Sequence, residues 1–151
     1  MRRVLTILLT LAILVPAASA QEGRITVVSS APFARVAEAL EQAIAQEQLA
    51  LVCHANAQRG AAARGVSIRG NQVLMVFRND FAVRLLEADP AAGFEAPLRI
   101  YVYENPDGTA TISYRSPAAV FAPYRHRAVQ AVAAELEPIF RRIVEKAASV
   151  H

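Results

Sequence analysis

"LRIYVYENPDGTATISYR", residues 98–115, spells out a β-hairpin. Leu98, Ile100 and Val102 alternate with Arg99, Tyr101 and Tyr103, the period-two pattern of a strand with one buried face. "NPDG" (105–108) follows as a turn, in which Pro106 fixes φ and Gly108 permits φ > 0. "TATISYR" (109–115) then returns as the paired strand. Such a hairpin implies an antiparallel sheet with one face on a core and the other either solvated, shaped into a pocket, or set against a second subunit.

The segments around it complete that sheet. "QVLMVFR" (72–78) is a nearly continuous apolar run, expected as a central strand, and "DFAVRLLEAD" (80–89) reads as a short helix. "RITVVSS" (24–30) is β-branched and short, hence a strand. Ser30 and Pro32 are expected to open a helix whose apolar side is Phe33, Val36, Ala37, Leu40 and Ile44. "LALVCHA" (49–55) is the next strand, and the alanine-rich "NAQRGAAARG" (56–65) is a short helix or a loop. Near the C-terminus, Val129, Val132, Leu136, Ile139, Phe140 and Ile143 follow helical spacing, with Pro138 expected to kink or divide that helix. The order is strand, helix, four strands, helix. This predicts an α+β fold: a two-layer sandwich with a mostly antiparallel sheet and two long helices on one face.

The first twenty residues stand apart. Arg2 and Arg3 precede the uncharged run Val4–Val15, then Pro16 and the small residues Ala18-Ser19-Ala20. That is the build of a secretory signal peptide with cleavage expected between Ala20 and Gln21. The run is short of the about 20 apolar residues a membrane span needs. Residues 21–151 are expected to form a single exported, periplasmic or secreted domain without a membrane span. The chain has 16 Lys and Arg against 13 Asp and Glu, and Arg2 and Arg3 lie in the leader, so the remainder is close to neutral. Export and neutrality together argue against nucleic acid as a partner.

One cysteine cannot close an internal disulfide. Strict alternation puts Cys53 with Leu49 and Leu51 toward the helices, as a small packing residue, and puts His54 on the opposite face with Ala50 and Val52. No CxxC, CxxCH, Gly-x-Ser-x-Gly or phosphate-binding Gly-rich loop is present, so no motif names a cofactor or a reaction. His54 and His126 are the candidate imidazole ligands for a metal or haem, with Asn79 able to orient one of them. Arg99, Tyr101 and Tyr103 form a polar-aromatic stripe fit for a small ligand or a partner subunit.

"EAPLRIYVYENPDGTATISYRSP" (95–117) resembles the pattern of the family known as domain of unknown function 302: Pro-Leu-basic, an aliphatic strand ending in Glu, an Asp-Gly turn, then Ser-Tyr and Pro. Phe77-Arg78-Asn79 is similar to that family's Phe-Gly-Asn-Pro, with Arg78 and Asp80 where the family has Gly and Pro. His54 stands at a family-like His, Cys53 where an Asp is usual, and Arg125-His126 at a family-like Arg-His pair. The resemblance spans roughly Ile25 to Ala148 and implies the same strand-helix-four-strand-helix order, a homodimer as one arrangement, and no particular activity. Three functional readings follow. The first is a non-catalytic module for a small ligand or partner, with His54, Asn79, Tyr101, Arg125 and His126 as binding candidates. The second is a metal- or haem-binding protein using His54 and His126. The third is a redox or hydrolytic enzyme using Cys53.

Overall fold

A computed structural model describes residues 23–151; the expected leader and its cleavage point lie outside the described residues. In chain order the elements are β1 (Arg24–Pro32), α1 (Phe33–Gln46), β2 (Ala50–Asn56), α2 (Ala57–Ala62), β3 (Asn71–Phe77), α3 (Asn79–Ala88), a 3₁₀ turn (Pro90–Glu95), β4 (Leu98–Glu104), β5 (Thr109–Arg115), α4 (Pro117–Phe121) and α5 (Arg127–Ala148). The five strands form one sheet in the order β1-β5-β4-β3-β2, and each neighbouring pair is antiparallel. This is the α+β sandwich expected from the sequence. The apolar strand β3 lies inside the sheet, but the middle position belongs to β4.

The hairpin turn is held by its own side chains. Gly108 sits at φ +83° and its N–H donates to the Asn105 carbonyl. Asp107 Oδ1 accepts from the Thr109 N–H and hydroxyl, and the Thr111 hydroxyl donates to Asn105 Oδ1. The Gly108 carbonyl accepts from the Phe33 N–H at 3.0 Å, which ties the hairpin tip to the start of α1. Strand β1 therefore runs on to Pro32, and Ser30 does not cap the helix: Pro32 occupies the cap position with no side-chain bond.

The core lies between the helices and the inner face of the sheet. Leu74, Val76, Ile100, Val102 and Ile112 are fully buried there, against Val36, Leu40 and Ile44 of α1 and Val132, Leu136 and Ile143 of α5. Helix α5 is continuous from Arg127 to Ala148 and is not divided at Pro138. Proline deletes one backbone bond, yet Leu136, Ile139 and Phe140 on either side of it are buried, and that burial keeps the helix continuous through it. No described helix is long and apolar enough to cross a membrane.

Strand β2 departs from strict alternation. Leu51 pairs with Val76 and Cys53 with Met75, so Val52 is an extra residue with no partner of its own. This is a β-bulge, and it exchanges the faces of everything after it. Cys53 stands on the open face beside Met75 and is exposed, not packed against the helices as expected. His54 pairs with Leu74 and turns toward α1, the opposite of its expected side.

Candidate functional site

The helices cover one face of the sheet; on the other, the arginines of the outer row are exposed, the tyrosines of β4 half-buried, and Thr111 and Ser113 of β5 buried among their neighbours. Register shows what this open face carries. Arg24 on β1 lies directly opposite Arg115 on β5. Ile100 pairs with Tyr114, so the next residue on each strand, Arg99 and Arg115, come side by side. Arg99 pairs with Met75, and Met75 with Cys53. One row across the five strands thus reads Arg24, Arg115, Arg99, Met75, Cys53. The next row holds Thr26, Ser113 and Tyr101, and the one beyond it Val28, Thr111 and Tyr103. No strand position of these rows is acidic.

The arginine row opens into a basin of about 470 Å3. Arg24, Arg99 and Arg115 all line it, with Met75, Tyr101 and Ser113 as further sheet residues and Phe94 and Glu95 at its margin. Phe94 belongs to the 3₁₀ turn and is 89% exposed, the most exposed large apolar side chain among the described residues. The Tyr101 and Tyr103 rings lie 5.4 Å apart, and the Asn71 side-chain amide donates to the Tyr101 hydroxyl. Tyr114, the neighbour of Ser113 and Arg115 on β5, turns to the covered face instead, where its ring lies 5.9 Å from Phe140 and burial pushes its phenol up. Among the described residues the ion pairs join Arg78 to Asp80, Arg84 to Glu135 and Arg142 to Glu47, and Glu41 also approaches the His54 ring. None of the three basin arginines takes part.

A second hollow, of about 650 Å3, lies on the helical side of the sheet. Glu38, Glu41 and Gln42 of α1, Gln58 of α2, Gln72 of β3 and Glu104 of β4 line it. His54 stands behind this wall. Its Nε2 is 2.9 Å from Gln72 Oε1 and its Nδ1 3.7 Å from Glu41 Oε1. Glu104 Oε2 accepts from the Gly70 N–H at 2.7 Å. Gly70 must lack a side chain, because a Cβ there would come within 2.2 Å of the Phe33 ring. Of the family-like residues, Glu104 thus lines this cleft and His54 lies behind it, against the lining residues Gln72 and Glu41.

The remaining expected site residues do not join either hollow. His126 caps α5, its Nδ1 accepting from the Ala128 N–H. The hydrogen bonds of the two histidine rings therefore go to different neighbours: Gln72 for one, the α5 backbone for the other. Among the described residues no three His, Cys, Asp or Glu side chains are grouped to hold a metal. Arg125 is exposed just before α5, and Asn79 is the exposed first residue of α3, bonded to neither histidine. Beside Asn79, Arg78 grips Asp80 through two bonds of 2.6 and 3.0 Å and lies 4.4 Å over the Phe81 ring. Its guanidinium holds the Asp80 carboxyl below the usual carboxylate range. The two residues that replace the family-like Gly and Pro thus bond each other, and α3 still starts at Asn79.

Sequence reading flagged Arg99, Tyr101 and Tyr103 but missed Arg24, Arg115, Phe94 and the Glu41–His54–Gln72 chain. Phe94 carried a signal, an aromatic residue inside a turn segment rich in Pro, Ala and Gly. The arginines carried none, since only strand register unites them.

Comparison with known proteins agrees with this architecture. A solved structure described as an uncharacterized conserved protein DUF302 from Bacillus stearothermophilus superposes with a TM-score of 0.72 at 20% identity, over 83% of this chain and 98% of that one. At that identity the likeness speaks for the fold alone. No curated protein matches. The model of the family described as "Domain of unknown function DUF302" matches residues 25–147, and to that family this chain belongs.

Proposed function

We propose that this is an exported, non-catalytic binding module, and that the open face of its sheet is the binding surface. The observation that carries the reading is the basin on that face, where the exposed Phe94 ring and the exposed side chains of Arg24, Arg99 and Arg115 meet. Ligand sites are concave, of roughly 300–1,000 Å3, and combine apolar lining with a few placed polar groups. The basin has both, with Phe94, Met75 and Tyr101 beside Ser113 and the arginines. A leader-like sequence in residues 1–20 supports export to the periplasm or beyond.

Neither alternative has comparable support. Cys53 is exposed but has no base or cation bonded to it among the described residues, and a catalytic or redox thiol is activated by such a neighbour. His54 and His126 are each engaged elsewhere.

The test is a fragment screen by NMR on the purified protein. Hits are expected to shift the signals of Tyr101, Met75 and Phe94. Hits confined to the cleft at Glu38 and Glu104 would move the site to the helical side. A reaction lost on His54→Ala with the fold retained would replace the reading by an enzymatic one. Export is tested separately: the protein recovered from the periplasm is expected to begin at Gln21.

A further inference from the structure

We propose that the basin takes a small, flat organic molecule bearing two or more anionic groups, carboxylate or phosphate, held by Arg24, Arg99 and Arg115. This rests on the open face being the binding surface and names what that surface recognises. Like charges directly opposite each other in adjacent strands oppose folding. The pair Arg24–Arg115, extended by Arg99, places three cations in one row. None is paired with a described carboxylate within 4.0 Å. Glu95, the one acid lining the basin, accepts instead from the Tyr124 hydroxyl at 3.3 Å. An arginine fork matches the planar geometry of carboxylate and phosphate, so three of them on a shallow sheet offer several such docks at once. The flat body follows from the rest of the lining: Phe94 and Tyr101 present ring surface, and Met75 a pliant apolar floor.

Charge also separates this occupant from a second copy of the chain. A two-fold dimer places the same patch against itself. The open face has no acidic strand position, and Glu95 at the basin margin is bonded to Tyr124, so a dimer built on it would bring two arginine-bearing faces together with little counter-charge.

The experiment is calorimetric titration of the purified full chain with benzene-1,3,5-tricarboxylate, pyrophosphate and the neutral aromatic benzyl alcohol. It is repeated on an Arg99→Ala/Arg115→Ala variant whose melting curve shows it folded. Saturable binding of the tricarboxylate is expected, weakened about tenfold or more in the variant, because charge-assisted bonds are the stronger class. Pyrophosphate is expected to bind more weakly, for want of ring contacts, and benzyl alcohol weakest of all. No saturable binding of either anion, or binding unchanged in the variant, overturns the proposal. Benzyl alcohol binding at Phe94 and Tyr101 equally well with and without the arginines would overturn the anionic class yet leave the binding face standing. A single-stranded oligonucleotide that binds more tightly with length would overturn the small-molecule proposal in favour of nucleic acid. Self-association lost in the variant would overturn it in favour of a second copy.

Discussion

The two faces of this sheet are made by the same strands and have opposite chemistry. Toward the helices, β4 presents Leu98, Ile100 and Val102, each 3% exposed or less; away from them it presents Arg99, Tyr101 and Tyr103. The covered face has little freedom, because close-packed interiors penalise any change of volume. The open face is relieved of that duty. What it bears is not dictated by packing, so an arrangement there that works against folding points to a use. Three arginines in one row is such an arrangement.

The largest expected contrast between the faces is in stability. Phe140→Ala removes a ring that is 1% exposed and packs 5.9 Å from Tyr114, and it should cost about 3–5 kcal/mol. Arg99→Ala on the other side should stay within about 0.5 kcal/mol. Urea titration of both checks this, and similar losses would erase the distinction. Next comes His54→Ala. It strips Gln72, 9% exposed, of its bonding partner and should cost about 1–3 kcal/mol by the same measurement, where an idle surface histidine would cost nothing.

Deleting Val52 is a sharper probe of β2. Because Val52 has no partner in the ladder, its removal should leave Cys53 facing Met75 and His54 facing Leu74, at a cost of about 1 kcal/mol or less. If the strand alternated regularly, the deletion would throw both residues to the wrong faces. The His54–Gln72 coupling seen by NMR decides between the two. Arg115→Ala should slightly raise the melting temperature at low salt, because it relieves the repulsion facing Arg24, and the gain should fade as salt is added. A fall in melting temperature would show that Arg115 has a stabilising partner. The smallest effect belongs to Cys53. Its thiol should label in the folded state, and Cys53→Ser should change stability by about 0.5 kcal/mol or less.

The hairpin could be read from sequence because its determinants are local. Alternation, proline and glycine lie within the eighteen residues 98–115, and each acts on its neighbours. The two long helices were legible for the same reason. What escaped is set by pairing at a distance. A bulge in β2 depends on how that strand meets β3, and nothing in "LALVCHAN" marks it, so strict alternation placed Cys53 and His54 on exchanged faces. Arg24, Arg99 and Arg115 are scattered over ninety residues and meet only through the registers of β1, β5 and β4. Pro138 left a kink or a division open from its local preference, and the buried neighbours on either side rule out the division.

The bulge at Val52 has a further consequence at the rim of the sheet. β2 is one of its two outermost strands, and β1, the other, shifts register between Ser29 and Pro32. A straight outermost strand is a template on which a stranger's backbone can add itself, the first step toward aggregates. Here each outermost strand is broken by an irregularity, and one of them ends in a proline, which has no N–H to offer. The device that turns His54 inward thus also blunts the sheet against growth by strand addition.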